Sequence, residues 1–154
     1  RSGMSEDARD ALLHELKVNA PPRVLAGVLG GIFAEGVDLP GDCLEAVVIV
    51  GPGLPALTAE RELLRAWMVE NGGEGFHEAY VVPGMRRVVQ AAGRVVRTER
   101  DKGVVVLVGR RFGRVDYTRL FPEQWEPTET AWPWMAVREF FSERRLSTAL
   151  EERA

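Results

Sequence analysis

The sequence predicts an α/β protein built on a mainly parallel sheet. Three observations carry that expectation. Ala46–Val50 (Ala-Val-Val-Ile-Val) and Gly103–Val108 (Gly-Val-Val-Val-Leu-Val) are short, continuous apolar runs of the kind that form strands buried on both faces. The segments around them repeat apolar residues at helical spacing, and strands alternating with helices build a parallel sheet. At 154 residues, with 45% hydrophobic and 28% charged residues, the chain is long and apolar enough for one domain with a core.

The elements follow in order. Arg1-Ser2-Gly3 before Met4 reads as a cloning remnant and is set aside, leaving 4–130 as the expected domain and 131–154 as a C-terminal amphipathic helix packed on or extending from it. Ser5 caps a first helix, with Glu6 and Asp7 in its first turn and Ala8, Ala11, Leu12 and Leu16 on its apolar face. Asn19-Ala20-Pro21-Pro22 stops it. Val24–Leu29 reads as a strand that runs into Gly30-Gly31, where the backbone turns tightly or is closely approached. After Ala46–Val50 comes the loop Gly51-Pro52-Gly53-Leu54-Pro55. Thr58 then caps a helix whose buried stripe is expected to be Leu63, Leu64, Trp67 and Met68, and Asn71-Gly72-Gly73 ends it. Pro83 opens a helix that runs to about Arg97. The last strand is Gly103–Val108. An irregular stretch, Gly113–Thr130, precedes a final helix with Trp134, Val137, Phe141 and Leu150. Three strands are few for a complete doubly wound domain, whose sheet has about 5–6.

Composition excludes several classes. The net charge of −3 argues against a uniform nucleic-acid-binding surface, so any such contact has to come from a local patch such as Arg86-Arg87, Arg110-Arg111 or Arg144-Arg145. Taken singly, each pair reads more readily as solvated surface charge. The single cysteine, Cys43, excludes an internal disulfide and any cysteine-ligated zinc or iron–sulfur cluster made by this chain alone, and it suits a cytosolic setting. His14 and His77 have no metal-ligand spacing. No apolar run approaches the ~20 residues of a membrane span.

Chemistry concentrates in two places. In the helix after Pro83, Met85, Val88, Val89, Ala92 and Val96 form the apolar side, while Arg87, Gln90, Arg94 and Arg97 share the other at steps of three and four. Gln90 to Arg97 spans roughly 10 Å of helix axis, comparable with a triphosphate tail. Gly93 costs such a helix about 1 kcal/mol relative to alanine and fits where a strand or ligand packs closely. Spacing alone leaves open a phosphate-facing surface or a solvated one. The second place is Gly30–Gly41, where glycines expose backbone N–H groups and Glu35 and Asp38 can accept hydrogen bonds from a ribose or from arginines. An acidic turn is its plain reading. The sequence holds no G-x-x-x-x-G-K-S/T phosphate loop and no G-x-G-x-x-G fingerprint. Arginines suited to phosphate without a phosphate cradle fit half of a site completed by another domain.

In these residues the chain resembles the second RecA-like motor domain of superfamily 2 DNA helicases of the XPD/DinG group. Gly31-Ile-Phe-Ala-Glu-Gly-Val-Asp38, followed by Leu-Pro-Gly, is similar to helicase motif V, with its E-G-I/V-D core. Gln90 to Arg97 resembles motif VI, Q-x-x-G-R-x-x-R, and the order of strands and loops agrees from about Asp7 to Trp125. The resemblance implies a three-layer, RecA-like (P-loop NTPase-type) α/β fold, with its sheet incomplete here because the first strand and motif IV are not seen. It implies an ATP-driven motor on single-stranded DNA, moving 5′ to 3′, in the cytoplasm at the nucleoid. The first RecA-like domain of the same helicase would supply the phosphate loop, the Mg-binding acidic motif and any iron–sulfur insertion. This chain would supply Arg94 and Arg97 toward the γ-phosphate of ATP. Gln90, beside Gly93, would position the nucleotide or the motif V loop, and Glu35, Gly36 and Asp38 would couple the nucleotide site to movement on DNA. One position departs from the pattern: where the group commonly has an aspartate before the basic-aromatic stretch, this chain has Gly109.

Two other classes compete with the motor. A regulatory or interaction module with a degenerate motor fold is favoured slightly by Gly109 and the missing strand. A free-standing DNA-binding module is disfavoured by the net charge.

Overall fold

The computed structural model describes residues 5–17, 24–31, 44–96 and 101–151. Glu35, Gly36, Asp38 and Arg97 lie outside them, as do Cys43 and the Asn19–Pro22 helix stop. The chain forms two compact units, Arg1–Pro122 and Glu123–Ala154.

In the first unit, α1 (Glu6–Lys17) begins as expected, with the Ala8 N–H donating to Ser5 Oγ at 3.3 Å. Strands β1 (Ala46–Val50) and β2 (Val104–Val108) pair in parallel and in register, from Ala46 opposite Val104 to Val50 opposite Val108. They are the two strands of the sheet among the described residues. Val24–Leu29, expected as a third, is irregular and ends in a turn closed by Gly31 N–H to Val28 O at 2.9 Å. A strand needs a neighbour's backbone groups as well as apolar residues, and Val24 and Val28 stand open to solvent.

A parallel pair requires a crossover, and here it is helical. Helix α2 (Ala59–Glu70) is capped by Thr58, whose hydroxyl accepts from Arg61 N–H at 3.3 Å, and it closes at Asn71, whose amide donates to Trp67 O at 2.8 Å. A π-helical turn, His77–Val81, runs directly into α3 (Val82–Ala92). The amino end of α3 sits on the loop after β1, where a side chain on Gly84 would meet Pro52 O at 2.7 Å. Val95, just past its other end, packs on Gly103, which itself lies against Glu45 O, at the start of the two strands. The helix therefore runs antiparallel to the sheet. Met85, Val88 and Ala91 from α3, Val81 from the π turn and Ile49 from β1 join Phe112 and Tyr117 in one buried cluster.

Two expectations about burial are corrected. The strands are not covered on both faces by the described residues: Ile49 is buried, but Val48 is 62% and Val50 79% exposed. Successive strand residues face opposite ways, and α3 covers one side. Nor is the apolar stripe of α2 its inward face, since Leu63 is 71% and Trp67 56% exposed. The half-buried side is Arg61, Glu62, Arg65 and, of the expected stripe, Met68.

Its task is set by Pro83. In a continuous helix the N–H of residue 83 would donate to Ala79 O, and proline has no N–H. The π turn absorbs the ring, with Val82 N–H reaching back to His77 O. The Arg61 guanidinium then donates to Ala79 O at 2.7 Å. Beside it Tyr80 O–H donates to Glu62 Oε1 at 2.5 Å, and Arg65 Nε donates to Glu62 Oε2 at 2.9 Å. Tyr80 and Arg65 hold the Glu62 carboxyl below the usual carboxylate range, while Glu62 raises the Tyr80 phenol. Two 3₁₀ and α turns, Arg110–Gly113 and α4 (Val115–Thr118), complete the unit.

The second unit holds α5 (Pro133–Glu151), at whose start Trp132 and Trp134 form an edge-to-face pair with ring centroids 4.8 Å apart.

Removing Arg61 strands a buried carbonyl, so Arg61→Ala should cost about 1–3 kcal/mol in urea unfolding. In an Arg61→Ala, Pro83→Ala double variant the restored N–H should recover part of that loss, and strict additivity would refute the pairing. Glu62, with its folded pKa lowered, contributes stability that is present above its unfolded value and lost as pH falls through the folded one. Glu62→Gln should accordingly flatten the acid limb of a Tm-against-pH profile and leave its shape near neutrality unchanged.

Candidate functional site

In open α/β sheets, ligands bind beyond the carboxyl ends of the strands. That end of this sheet is lined by glycine. Gly51 N–H donates to Val108 O at 2.8 Å, which closes the strand ends together. Gly51, Gly53 and Gly30 have φ of +75°, +57° and +84°, and Gly109 has +147°, all conformations that side chains rarely adopt. Gly109 lies against Gly51, where a side-chain carbon would meet Gly51 Cα and N at 3.7 Å. Leu29 packs on Gly53, where an added carbon would touch its Cδ2 at 2.5 Å. Gly30 faces Arg87, whose Nε, Cδ and Cζ lie 3.0–3.1 Å from where a side chain would start. Arg87 is half-buried and its Nη1 approaches Gly53 O at 3.5 Å.

Past Gly109 the 3₁₀ turn projects Arg110 and Arg111 outward while burying Phe112 in the core. Arg114 and Asp116 pair at 2.9 and 3.0 Å through two hydrogen bonds, and each stabilises the other's charged form. Among the described residues no group of three His, Cys, Asp or Glu side chains gathers as a metal site.

The glutamine–arginine face is divided. Gln90 is on α3 and exposed. The helix was expected to run to about Arg97, but it ends at Ala92, with Gly93 as its cap. Arg94 N–H bonds to Ala91 O at 3.3 Å and Val95 N–H to Ala92 O at 3.0 Å, so the chain tightens into a turn. Glycine is a poor helix residue and a good terminator, and buried Val95 pins the turn to Gly103. Arg94 is half-buried in that turn, four residues past Gln90, and is not held by a rigid helix. Gly93 is exposed, and the atoms nearest its missing side chain are Val89 O and Gln90 O, so no described strand packs there. The structure thus brings the Gly30 turn to Arg87, and it places Gln90 and Arg94 further along, toward the start of the strands. Sequence reasoning put Arg87 on this face but did not find its partners. Two glycines flanking a proline at 51–53 were the available signal for close approach.

Residues 2–128 match the family model of the helicase C-terminal domain, and the chain belongs to that family. Within it the similarity is to helicases of the DinG and XPD type. The chain is 36% identical over 110 residues to the ATP-dependent DNA helicase DinG of Photobacterium profundum, covering 69% of this chain and 16% of that protein. It is 35% identical over 94 residues to the 3′-5′ exonuclease DinG of Bacillus subtilis, covering 58% of this chain and 10% of that protein. To the XPD helicase subunit of general transcription and DNA repair factor IIH from Dictyostelium discoideum it is 29% identical over 105 residues, covering 66% and 13%. The chain spans about a sixth or less of the length of these relatives.

Gly109 has a backbone that an aspartate cannot adopt without strain. Gly109→Asp should therefore destabilise the domain by about 1–3 kcal/mol. Since a side-chain carbon there meets only ordinary contacts, Gly109→Ala should cost nearly as much. A neutral Gly109→Ala in thermal unfolding would show that the backbone relaxes freely.

Proposed function

We propose that this domain is one wall of the ATP cleft of a DNA helicase and couples hydrolysis to movement along single-stranded DNA, 5′ to 3′. The observation that carries this reading is the Gln90–Arg97 motif in a helicase C-terminal domain whose sequence has no phosphate loop. In this reading a first RecA-like domain of the same helicase binds most of ATP and Mg, with any iron–sulfur cluster lying outside this chain. Arg94 and Arg97 reach the γ-phosphate, where guanidinium groups stabilise the charge of phosphoryl transfer. Gln90 positions the nucleotide, Gly93 frees the turn that carries Arg94, and Glu35, Gly36 and Asp38 relay the nucleotide state toward DNA. The exposed positions of Gln90 and Gly93 support a surface that meets a ligand held elsewhere.

The fold in this reading is RecA-like and three-layered, with 4–130 as the motor domain and 131–154 as an appended helix, working at the nucleoid. The open sheet face at Val48 and Val50 is consistent with a layer that the described residues do not supply. A second reading, a non-catalytic regulatory or interaction module on a degenerate motor fold, draws on Gly109 and its glycine-only backbone.

The two readings separate in one assay. The domain by itself should turn over no ATP above background. Joined to its phosphate-loop domain, the wild type should hydrolyse ATP in a DNA-dependent way, and Arg97→Ala should lower kcat by on the order of 10³-fold or more with folding intact. A complete motor that keeps its kcat in Arg97→Ala overturns the assigned role, and one that never hydrolyses ATP supports the module.

A further inference from the structure

The Gly30 turn and helix α3 are far apart in sequence, yet one side chain spans them. Leu29 anchors the turn in the core beside Gly53, and Gly31 closes it on Val28. Gly30, between them, has no side chain, and the Arg87 guanidinium and its stem fill the space where one would be, 3.0–3.1 Å from the missing carbon. The same guanidinium reaches toward Gly53 O at 3.5 Å. Arg87 thus touches the loop after β1 and the turn that leads into Gly31–Asp38. Its own backbone lies one helical turn before Gln90 on α3.

We infer that Arg87 is a positioning residue that transmits displacement of the Gly30 turn to helix α3, and through it to Gln90 and Arg94. This rests on the reading of Gln90 and Arg94 as parts of an ATP cleft. Three features suit the task. The contact is close, because the space a Gly30 side chain would take is held by Arg87 Nε, Cδ and Cζ, 3.0–3.1 Å from where that side chain would start. Gly30 at φ +84° sits in a conformation that fixes the turn's path. Arg87 is half-buried, so its fork is held by protein rather than by water. A lysine lacks the planar fork that spans both loops.

The test uses the complete motor, with this domain joined to its phosphate-loop domain. Arg87→Met keeps the stem and removes the fork. Its DNA-stimulated kcat should fall about tenfold, within the range that coupling mutations reach, while KM for ATP and the Kd for a single-stranded oligonucleotide each change by less than about twofold. Arg87→Lys, which keeps the charge and loses the planar fork, should not restore the stimulation. Thermal unfolding of each variant accompanies the assay. An unchanged stimulated kcat in Arg87→Met overturns the inference. So does a loss that follows Tm, which marks a structural role, or one that follows oligonucleotide affinity, which marks a direct phosphate contact. A wild-type motor without ATP turnover instead removes the cleft reading beneath it, and this inference with it.

Discussion

The geometry at the carboxyl end of the sheet depends on the in-register parallel pairing of β1 with β2. Because Val50 lies opposite Val108, both strands finish at the same level and Gly51 and Gly109 leave them side by side. A shift of one residue would turn Ile49 away from the core and place Val48 or Val50 against α3. Register is therefore fixed by the same side chains that form the core, and the glycine-lined end inherits its precision from them. Parallel strands cannot be joined by a tight turn, so α2, the π turn and α3 have to fill the crossover. This crossover returns α3 against the strands and sets Arg87 beside the Gly30 turn.

The polar inner face of α2 follows from the same crossover. Ala79 O is buried and loses its helical donor to Pro83, so a donor has to come from outside the helix. Arg61 provides it, and Glu62 next to it takes the Tyr80 hydroxyl. Leu63 and Trp67, on the opposite side of α2, are left facing outward.

Local chemistry was the most legible part of the sequence. Ser5 and Thr58 cap their helices, Asn71-Gly72-Gly73 ends α2, and β1 and β2 stand where their apolar runs place them. Each of these depends on neighbours within a few residues. What was not legible depended on distant partners. Periodicity identified the apolar stripe of α2 but could not show that Pro83, more than 20 residues from Arg61, would draw the polar side inward. Val24–Leu29 has strand composition without a paired neighbour among the described residues. At α3 the competing signals were both visible, and Gly93 as a terminator outweighed the continuing helical spacing of Arg94 and Val96. At the candidate site the residue types and their order were legible, whereas the meeting of Arg87 with Gly30 depends on the crossover.

Pro83 and Arg61 also carry a direction in time. A chain that first exchanges Pro83 for a residue with an N–H regains the helical bond to Ala79 O, and Arg61 is then released to vary. A chain that first exchanges Arg61 passes through a form with a buried carbonyl and no donor. The two routes reach the same pair of residues, but only the first avoids a buried carbonyl without a donor, so losing the arginine is costly for as long as the proline stays.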